Sequence, residues 1–280
     1  MSLHGKNGNL IAAAANHKKV FSLIGGKDAV GNICSQLVDY QLGHVRVSVG
    51  TRLSYPDEEI IIGTAEELAG KPIGGLCVIL VENPEAGKKP VTHGIEDDEF
   101  IRAKVPMTKS EVRAVCLSKL RLTPQAVCWD IGAGTGSVSV EMALLCPEGR
   151  VYAIERREDA LALTEENRRR FSLENLIPVS GSAPEACREL PVPTHAFIGG
   201  SSGNLRQILS LLLEKNPRVR IVATAVTLES IAELTQAMKD FPQAEAVWLS
   251  VARDRKAGAY HLMAGQNPVM IVTLSGGETA

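Results

Sequence analysis

The sequence predicts an α/β protein, a doubly wound and mainly parallel sheet of seven strands preceded by a smaller N-terminal α/β half-domain. Three observations lead there. From Thr108 onward, apolar runs of strand length alternate with stretches of helical period. One of these strands runs directly into a glycine-rich turn, Gly132-Ala133-Gly134-Thr135-Gly136, that opens a helix. Ahead of all this, Glu82 to Gly94 (ENPEAGKKPVTHG) breaks the composition with Pro, Gly and Lys and reads as a linker. The break sets the expected domains at 1–92 and 93–280.

In the first segment Leu10 to Ala15 is a small-residue stretch, too short for a signal core and without a cationic region before it, and reads as a helix. Lys19 to Ile24 reads as a strand and Asp28 to Tyr40 as a helix. His44 to Val49 and Glu59 to Ile62 read as strands. Thr64 to Ala69 is a short helix, with Thr64 and Glu67 spaced as a capping box, and Leu76 to Val81 is a buried strand. In the second segment Thr108 to Leu120 is helical, again with a capping-box pair, Thr108 and Glu111. Strands follow at Val127 to Ile131, Val151 to Glu155, Leu176 to Val179, His195 to Ile198 and Val219 to Val226. The helices between them are Val138 to Leu145, Glu158 to Phe171, Leu205 to Leu213 and Thr227 to Asp240. Alternation of this kind implies parallel strands joined by right-handed crossovers. Two last strands, Ala246 to Val251 and Val269 to Leu274, have no clear helix between them and imply one antiparallel strand at the sheet end.

Composition narrows the function. The 280 residues carry 30 Lys and Arg against 32 Asp and Glu, and aromatics make up only 4%. That argues against a basic nucleic-acid binder and against base stacking. No apolar run reaches the ~18 residues of a membrane helix. The six cysteines show no C-x-x-C spacing, and no two histidines are spaced i, i+4. They read as buried free thiols of a reducing cytoplasm, with no metal site.

The chemistry sits around the glycine turn. A dinucleotide fold prefers G-x-G-x-x-G, but position 137 is Ser, so the pattern is G-x-G-x-G, as in S-adenosylmethionine (SAM) methyltransferases. Glu155 ends the next strand, where ribose hydroxyls are held. Gly181-Ser182-Ala183-Pro184-Glu185 follows the third strand, where an adenine edge is read. The alternative is a nucleotide-binding or degenerate turn. Gly199-Gly200-Ser201-Ser202-Gly203 ends the fourth strand and gives a bulky acceptor room, or is a tight connection with Ser202 as helix cap; the two are compatible.

These residues together resemble a known family. Thr108-Lys109-Ser110-Glu111-Val112-Arg113, Trp129 to Gly136, Glu141, Gly181 to Glu185, Phe197-Ile198-Gly199-Gly200 and Asn267-Pro268-Val269 look like the cobalamin-pathway precorrin methyltransferases of the decarboxylating C5,15 type, over about residues 94 to 275. The resemblance implies a class I SAM-methyltransferase fold, Rossmann-like. It also implies methylation of carbon 15 of precorrin-6B or its cobalt form, with loss of the ring C acetate as carbon dioxide. By the same resemblance SAM contacts fall on Thr108, Gly132, Ala133, Gly134, Thr135, Gly136, Glu155 and Ala183. Substrate-side candidates are Glu111, Arg113, Glu141, Gly199, Gly200, Ser201 and Arg253. Ser182 stands where relatives usually carry Asp, and the Arg-rich loop, Arg253-Asp254-Arg255-Lys256, contains an extra acid. The first segment is similar to the C-terminal half of the carbon-5 methylating domain, through Ser2 to Gly5, Val49 to Leu53 and Gly63 to Leu68. That family's donor loop lies in the other half, so carbon-5 methylation is not expected from this chain. The family also implies a homo-oligomer, a tetramer.

The tetrapyrrole carries many carboxylates, so cationic clamps are expected. Arg102, Lys104, Lys109, Arg113, Arg253, Arg255 and Lys256 are the candidates; the alternative for each is a solvated surface charge, for Arg113 also a pairing with the helix neighbours of Lys109 or a nearby acid, and Glu141 reads either as holding the donor's ammonium through water or as ordering the loop. Against this reading stand two others: a class I methyltransferase acting on RNA or protein, and a non-catalytic assembly module.

Overall fold

A computed structural model describes residues 10–87 and 93–276. Part of the linker and the Ser2 to Gly5 string lie outside the described residues. The chain forms two compact units. One takes residues 10–87 with Arg168–Glu174, and the other takes 93–167 with 175–276. The sequence reading had left Arg168–Glu174 in the second segment.

The first unit runs α1 (Leu10–Asn16), β1 (Lys19–Ile24), α2 (Ala29–Asp39), β2 (Arg46–Thr51), β3 (Glu59–Thr64), α3 (Ala65–Leu68) and β4 (Cys77–Glu82). Its sheet has the order β1-β4-β2-β3, and every pairing is antiparallel. Along β1 exposed and buried residues alternate strictly, and one face of the sheet packs Val20, Ile24, Val47, Val49, Ile79 and Val81 under the helices. The Thr64–Glu67 capping box forms as expected. Glu67 N–H donates to Thr64 Oγ1 (3.1 Å), and Thr64 N–H donates back to Glu67 Oε2 (2.8 Å).

The second unit runs α4 (Ser110–Leu120), β5 (Val127–Ile131), α5 (Ser137–Leu145), β6 (Arg150–Glu155), α6 (Glu158–Arg170), β7 (Leu176–Ser180) and β8 (His195–Ile198). It continues with α7 (Leu205–Lys215), β9 (Arg220–Ala225), α8 (Leu228–Ala237), β10 (Gln243–Leu249), β11 (Ala252–Ala257), β12 (Tyr260–Gly265) and β13 (Val269–Ser275). Its sheet has seven strands in the order β10-β13-β9-β8-β5-β6-β7. The first five strands in sequence, β5 to β9, pair parallel with one another, as the alternation predicts. The order reverses between β5 and β8, and ligands of doubly wound sheets bind beyond the strand ends at that point.

Two expectations need correction. The antiparallel strand is not at the sheet end: β13 inserts between β9 and β10 and pairs antiparallel with both. Its run Met270 to Leu274 is buried on both sides, which an edge strand would not be. Between β10 and β13 stands a separate hairpin, β11–β12, that places Arg253 to Lys256 in a strand rather than a loop. Its residues are mostly exposed, so no apolar pattern marks it. All six cysteines are free and buried. Burial pushes the thiol of Cys34 up to about 11 and those of Cys116 and Cys187 up to about 12. Among the described residues no helix is long and apolar enough to cross a membrane.

The segment 94–109, ahead of α4, has little regular structure and is tied down by side chains. Asn167, fully buried on α6, accepts from Ile101 N–H (2.8 Å) and donates to the carbonyls of Ile101 (2.8 Å) and Thr135 (2.9 Å). One amide thus joins this strap to the glycine turn. Asn167→Ala leaves buried backbone groups unpaired and is expected to destabilise the second unit by about 2 kcal/mol. Denaturant melting checks this, and an unchanged midpoint contradicts it.

Candidate functional site

The glycine turn is shaped by what lies against it. Gly132 has φ +76°, and a Cβ there would stand 2.8 Å from the carbonyl oxygen of Gly200. The turns after β5 and β8 therefore touch backbone to backbone, which only glycine allows. Gly136, also at positive φ, packs on Thr164 of α6. Gly132 and Ala133 N–H both donate to the Ile154 carbonyl (3.0 and 3.1 Å), which binds the turn to β6. At the end of β6 the buried Glu155 accepts from Gly134 N–H through Oε2 (3.0 Å) and from Arg157 N–H through Oε1 (2.9 Å). Each oxygen keeps a lone pair for a further donor.

A cavity of about 960 Å³ opens here, at the large end of the size range of small-molecule sites. One side is built by Gly132, Ala133, Gly134, Glu155, Ala183 and the strap residues Val105 to Lys109. The other side is built by Gly199 to Ser202, Thr224, Val226, Leu249, Val251, Val269, Gln266, Asn267 and Arg253. The structure therefore brings Thr108, Gly132, Ala133, Gly134, Glu155, Ala183, Gly199, Gly200, Ser201 and Arg253 together around one space. Thr135 and Gly136 lie behind the turn. Thr135 Oγ1 is buried with no hydrogen-bond partner, and the α5 N-terminus that follows Gly136 has no side-chain cap.

Arg113, Glu141 and Glu111 do not line the cavity, which corrects their reading as groups facing the acceptor. The Arg113 side chain is 0% exposed. Its Nε donates to Glu141 Oε1 (2.7 Å), and its Nη1 donates to Asp97 Oδ1 (3.0 Å) and to the Thr108 carbonyl. Nη2 donates to the Ile95 carbonyl, and the guanidinium lies 4.7 Å from the Phe100 ring centre. Glu141 also accepts from the Gly94 and Ile95 N–H groups (2.5 and 3.2 Å). The pair therefore folds the strap rather than binding a ligand.

The Thr108–Glu111 capping box is absent. Lys109 is the cap residue of α4 and makes no side-chain bond there; instead Ser110 N–H donates to Asp97 Oδ1 (3.1 Å). Glu111 is drawn away by Arg253, whose Nε donates to Glu111 Oε1 (2.8 Å) and whose Nη2 donates to Oε2. That hydrogen bond holds the Glu111 carboxyl below its ordinary range. Ser202 likewise does not cap α7, where Asn204 is the cap residue. Of the remaining cation candidates only Lys109 lines the cavity; Arg102, Lys104, Arg255 and Lys256 are exposed outside it. The extra acid, Asp254, bonds the cross-strand His261 Nδ1 at 2.7 Å and leaves Arg253 alone.

Sequence reasoning missed Asp97, Asn167 and the apolar wall of Val226, Leu249 and Val251. Asp130, ahead of the glycine turn, is the last residue but one of β5; it is buried and accepts from Ser139 Oγ. Burial, opposed by the Ser139 bond and aided by the charge of Glu155, pushes the Asp130 carboxyl up to about 7. Among the described residues no cluster of three or more His, Cys, Asp or Glu is arranged to hold a metal.

Comparisons with known proteins agree on one family. The family model described as precorrin methyltransferase domain matches residues 99–275. The chain is 45% identical over 186 residues, 65% of its length and 95% of the relative's, to a Pyrobaculum calidifontis protein named cobalt-precorrin-6B C(15)-methyltransferase (decarboxylating). A solved precorrin-6y C5,15-methyltransferase from Geobacter metallireducens is 40% identical; the match has a TM-score of 0.63 and covers 67% of this chain and 100% of that one. The C-terminal domain of precorrin-6Y C5,15-methyltransferase from Rhodobacter capsulatus is 31% identical, with a TM-score of 0.61 and coverage of 67% and 100%.

Asp130 gives the site a pH signature. In the folded chain it holds its proton up to about pH 7, whereas unfolded Asp loses it near ~3.9. The folded state therefore binds more protons across that window, and stability falls as pH rises through it. Below the window this contribution is fully present, and above it is lost. Asp130→Asn is expected to flatten the slope. Denaturation midpoints at either end of the window check this, and equal slopes for the two proteins contradict it.

Proposed function

The chain belongs to the precorrin methyltransferase family, and from that premise we propose that it methylates carbon 15 of precorrin-6B, or of its cobalt form, and decarboxylates the ring C acetate. The methyl donor is SAM. The observation that carries the reading is one cavity lined by the glycine turn, Glu155, the turn after β8, the apolar residues Val226, Leu249, Val251 and Val269, and Arg253.

The residues present fit the donor. An uncapped α5 N-terminus and a glycine turn that lets a ligand reach the backbone suit a carboxylate-bearing cofactor. When bound, SAM supplies an electrophilic methyl group. Glu155 keeps lone pairs for ribose hydroxyls, and Thr108, Gly132 to Gly134 and Ala183 hold the rest.

The acceptor is a nucleophilic carbon of the macrocycle, so the chain needs no nucleophile of its own. Its task is alignment, which alone supplies ~7–11 kcal/mol in well-oriented reactions. Gly199, Gly200 and Ser201 leave room for a bulky ring, and Arg253 anchors one peripheral carboxylate. In the decarboxylation the carbon–carbon bond to the carboxylate breaks and carbon dioxide leaves. The electron pair passes into the conjugated ring, and a solvent proton takes the vacated position. The wall of Val226, Leu249, Val251 and Val269 keeps water from the departing carboxylate.

In the same reading the first unit is the C-terminal part of a carbon-5 methylase domain. Its Val49 to Leu53 string closes β2, and its Gly63 to Leu68 string holds the capping box of α3. The assembly is a homo-oligomer, a tetramer by the family resemblance, working in the cytoplasm.

Precorrin-6B incubated with the chain and methyl-labelled SAM should gain one labelled methyl and lose one carbon dioxide in the mass spectrum. An unchanged mass under conditions where SAM binds contradicts the reading. Arg253→Ala should raise the substrate KM by about tenfold, the loss of a charge-assisted bond, and leave the Kd for SAM unchanged. A KM that does not move removes Arg253 from the substrate.

A further inference from the structure

Arg253 lines the cavity, with its side chain 36% exposed, but its forked edge is already filled. Nε and Nη2 grip the two oxygens of Glu111 side by side, the arrangement in which a guanidinium takes any carboxylate. The other contacts differ in kind. Nη1 donates to Asp97 Oδ2 (3.0 Å), and Nη2 also donates to Ser110 Oγ (2.8 Å). Both partners belong to the well-held part of the cluster. Ser110 is buried, and the other oxygen of Asp97 is held by the buried Arg113 and by Ser110 N–H. Glu111 is 41% exposed and can swing into solvent. Removing Glu111 would thus leave Arg253 tethered by Asp97 and Ser110, with its two-pronged edge free.

We propose that Glu111 is an internal stand-in for a substrate carboxylate: it occupies the forked edge of Arg253 and is displaced when a carboxylate of the tetrapyrrole takes its place. The proposal rests on the reading above, in which the ligand is a tetrapyrrole bearing carboxylates. Exchange of one carboxylate for another costs little and keeps Arg253 paired throughout. A ligand that brings no carboxylate to this edge cannot displace Glu111, so the pair also selects for acidic ligands.

Binding of uroporphyrin, a carboxylate-rich tetrapyrrole, measured by calorimetry on the full chain, tests the exchange without needing turnover. Glu111→Gln is expected to tighten binding about two- to fivefold, the worth of a part-exposed ion pair, with the Kd for SAM unchanged. Glu111→Asp keeps the charge but shortens the reach, and is expected to tighten binding in the same direction. If Glu111→Gln tightens and Glu111→Asp does not, the effect is general repulsion and the exchange is wrong. In an Arg253→Lys background, which lacks the fork, Glu111→Gln should have no further effect; a gain that persists there also overturns the proposal. Uroporphyrin that binds no tighter to Glu111→Gln, while precorrin-6B is still methylated, refutes the exchange and leaves the activity standing. Tighter binding without turnover does the reverse.

Discussion

The buried guanidinium of Arg113 is the constraint on which the cavity depends. It sits in a fully buried position and is bonded to Glu141 on α5, to Asp97, and to the carbonyls of Ile95 and Thr108 at the two ends of the strap. A charge in that position is tolerated only because each of these partners is present. Replacing one partner of such a pair typically costs ~3–5 kcal/mol, since the other charge is left buried and unpaired. The cluster converts a stretch with little secondary structure into a defined wall. Val105 to Lys109 line the cavity between one anchor at Ile101, held by Asn167, and another at Thr108 and Ser110.

A steric constraint complements this electrostatic one. The turns after β5 and β8 lie against each other at the point where the strand order reverses, with Gly132 against Gly200. The two turns that line the cavity are thus joined by direct backbone contact. Glu155 closes β6 just beneath, and Asp130 lies one residue short of the end of the adjacent β5. Glu155 is spent on the turn's backbone and still has capacity for a ligand, whereas Asp130 is sealed under α5 and affects the site only through its proton.

Much of this was legible in the sequence, for a physical reason. Strands such as Val127 to Ile131 and His195 to Ile198 are buried on both faces and so read as short apolar runs, and the turn after the first of them needs its glycines. The place of Glu155 at the cavity was legible because it ends the strand next to the glycine turn. The β11–β12 hairpin was not, because a strand exposed on both faces carries no apolar alternation. The insertion of β13 between β9 and β10 was not, because pairing order is a tertiary fact that two consecutive apolar strands do not specify. Arg113 pairing with a nearby acid and Glu141 ordering a loop were legible as alternatives to a substrate role, but Glu111 has a partner that its local spacing does not show. Local spacing put Glu111 with Thr108, whereas Arg253, far along the chain, takes it instead. A distant bidentate partner outcompetes a local capping bond, and nothing in residues 108–111 announces that.

Hydrogen exchange, read by mass spectrometry on the full chain with and without SAM, tests the central claim that the Arg113 cluster builds the cavity by holding the strap. For Arg113→Lys, a compact cation that cannot fork to Glu141 and Asp97, the account predicts faster exchange at the amides of 94–110. The strands β5, β6 and β8 should stay protected, and SAM binding should weaken about tenfold or more, the loss of a preformed wall. Strap amides as protected as in the native chain, with SAM affinity unchanged, would contradict it.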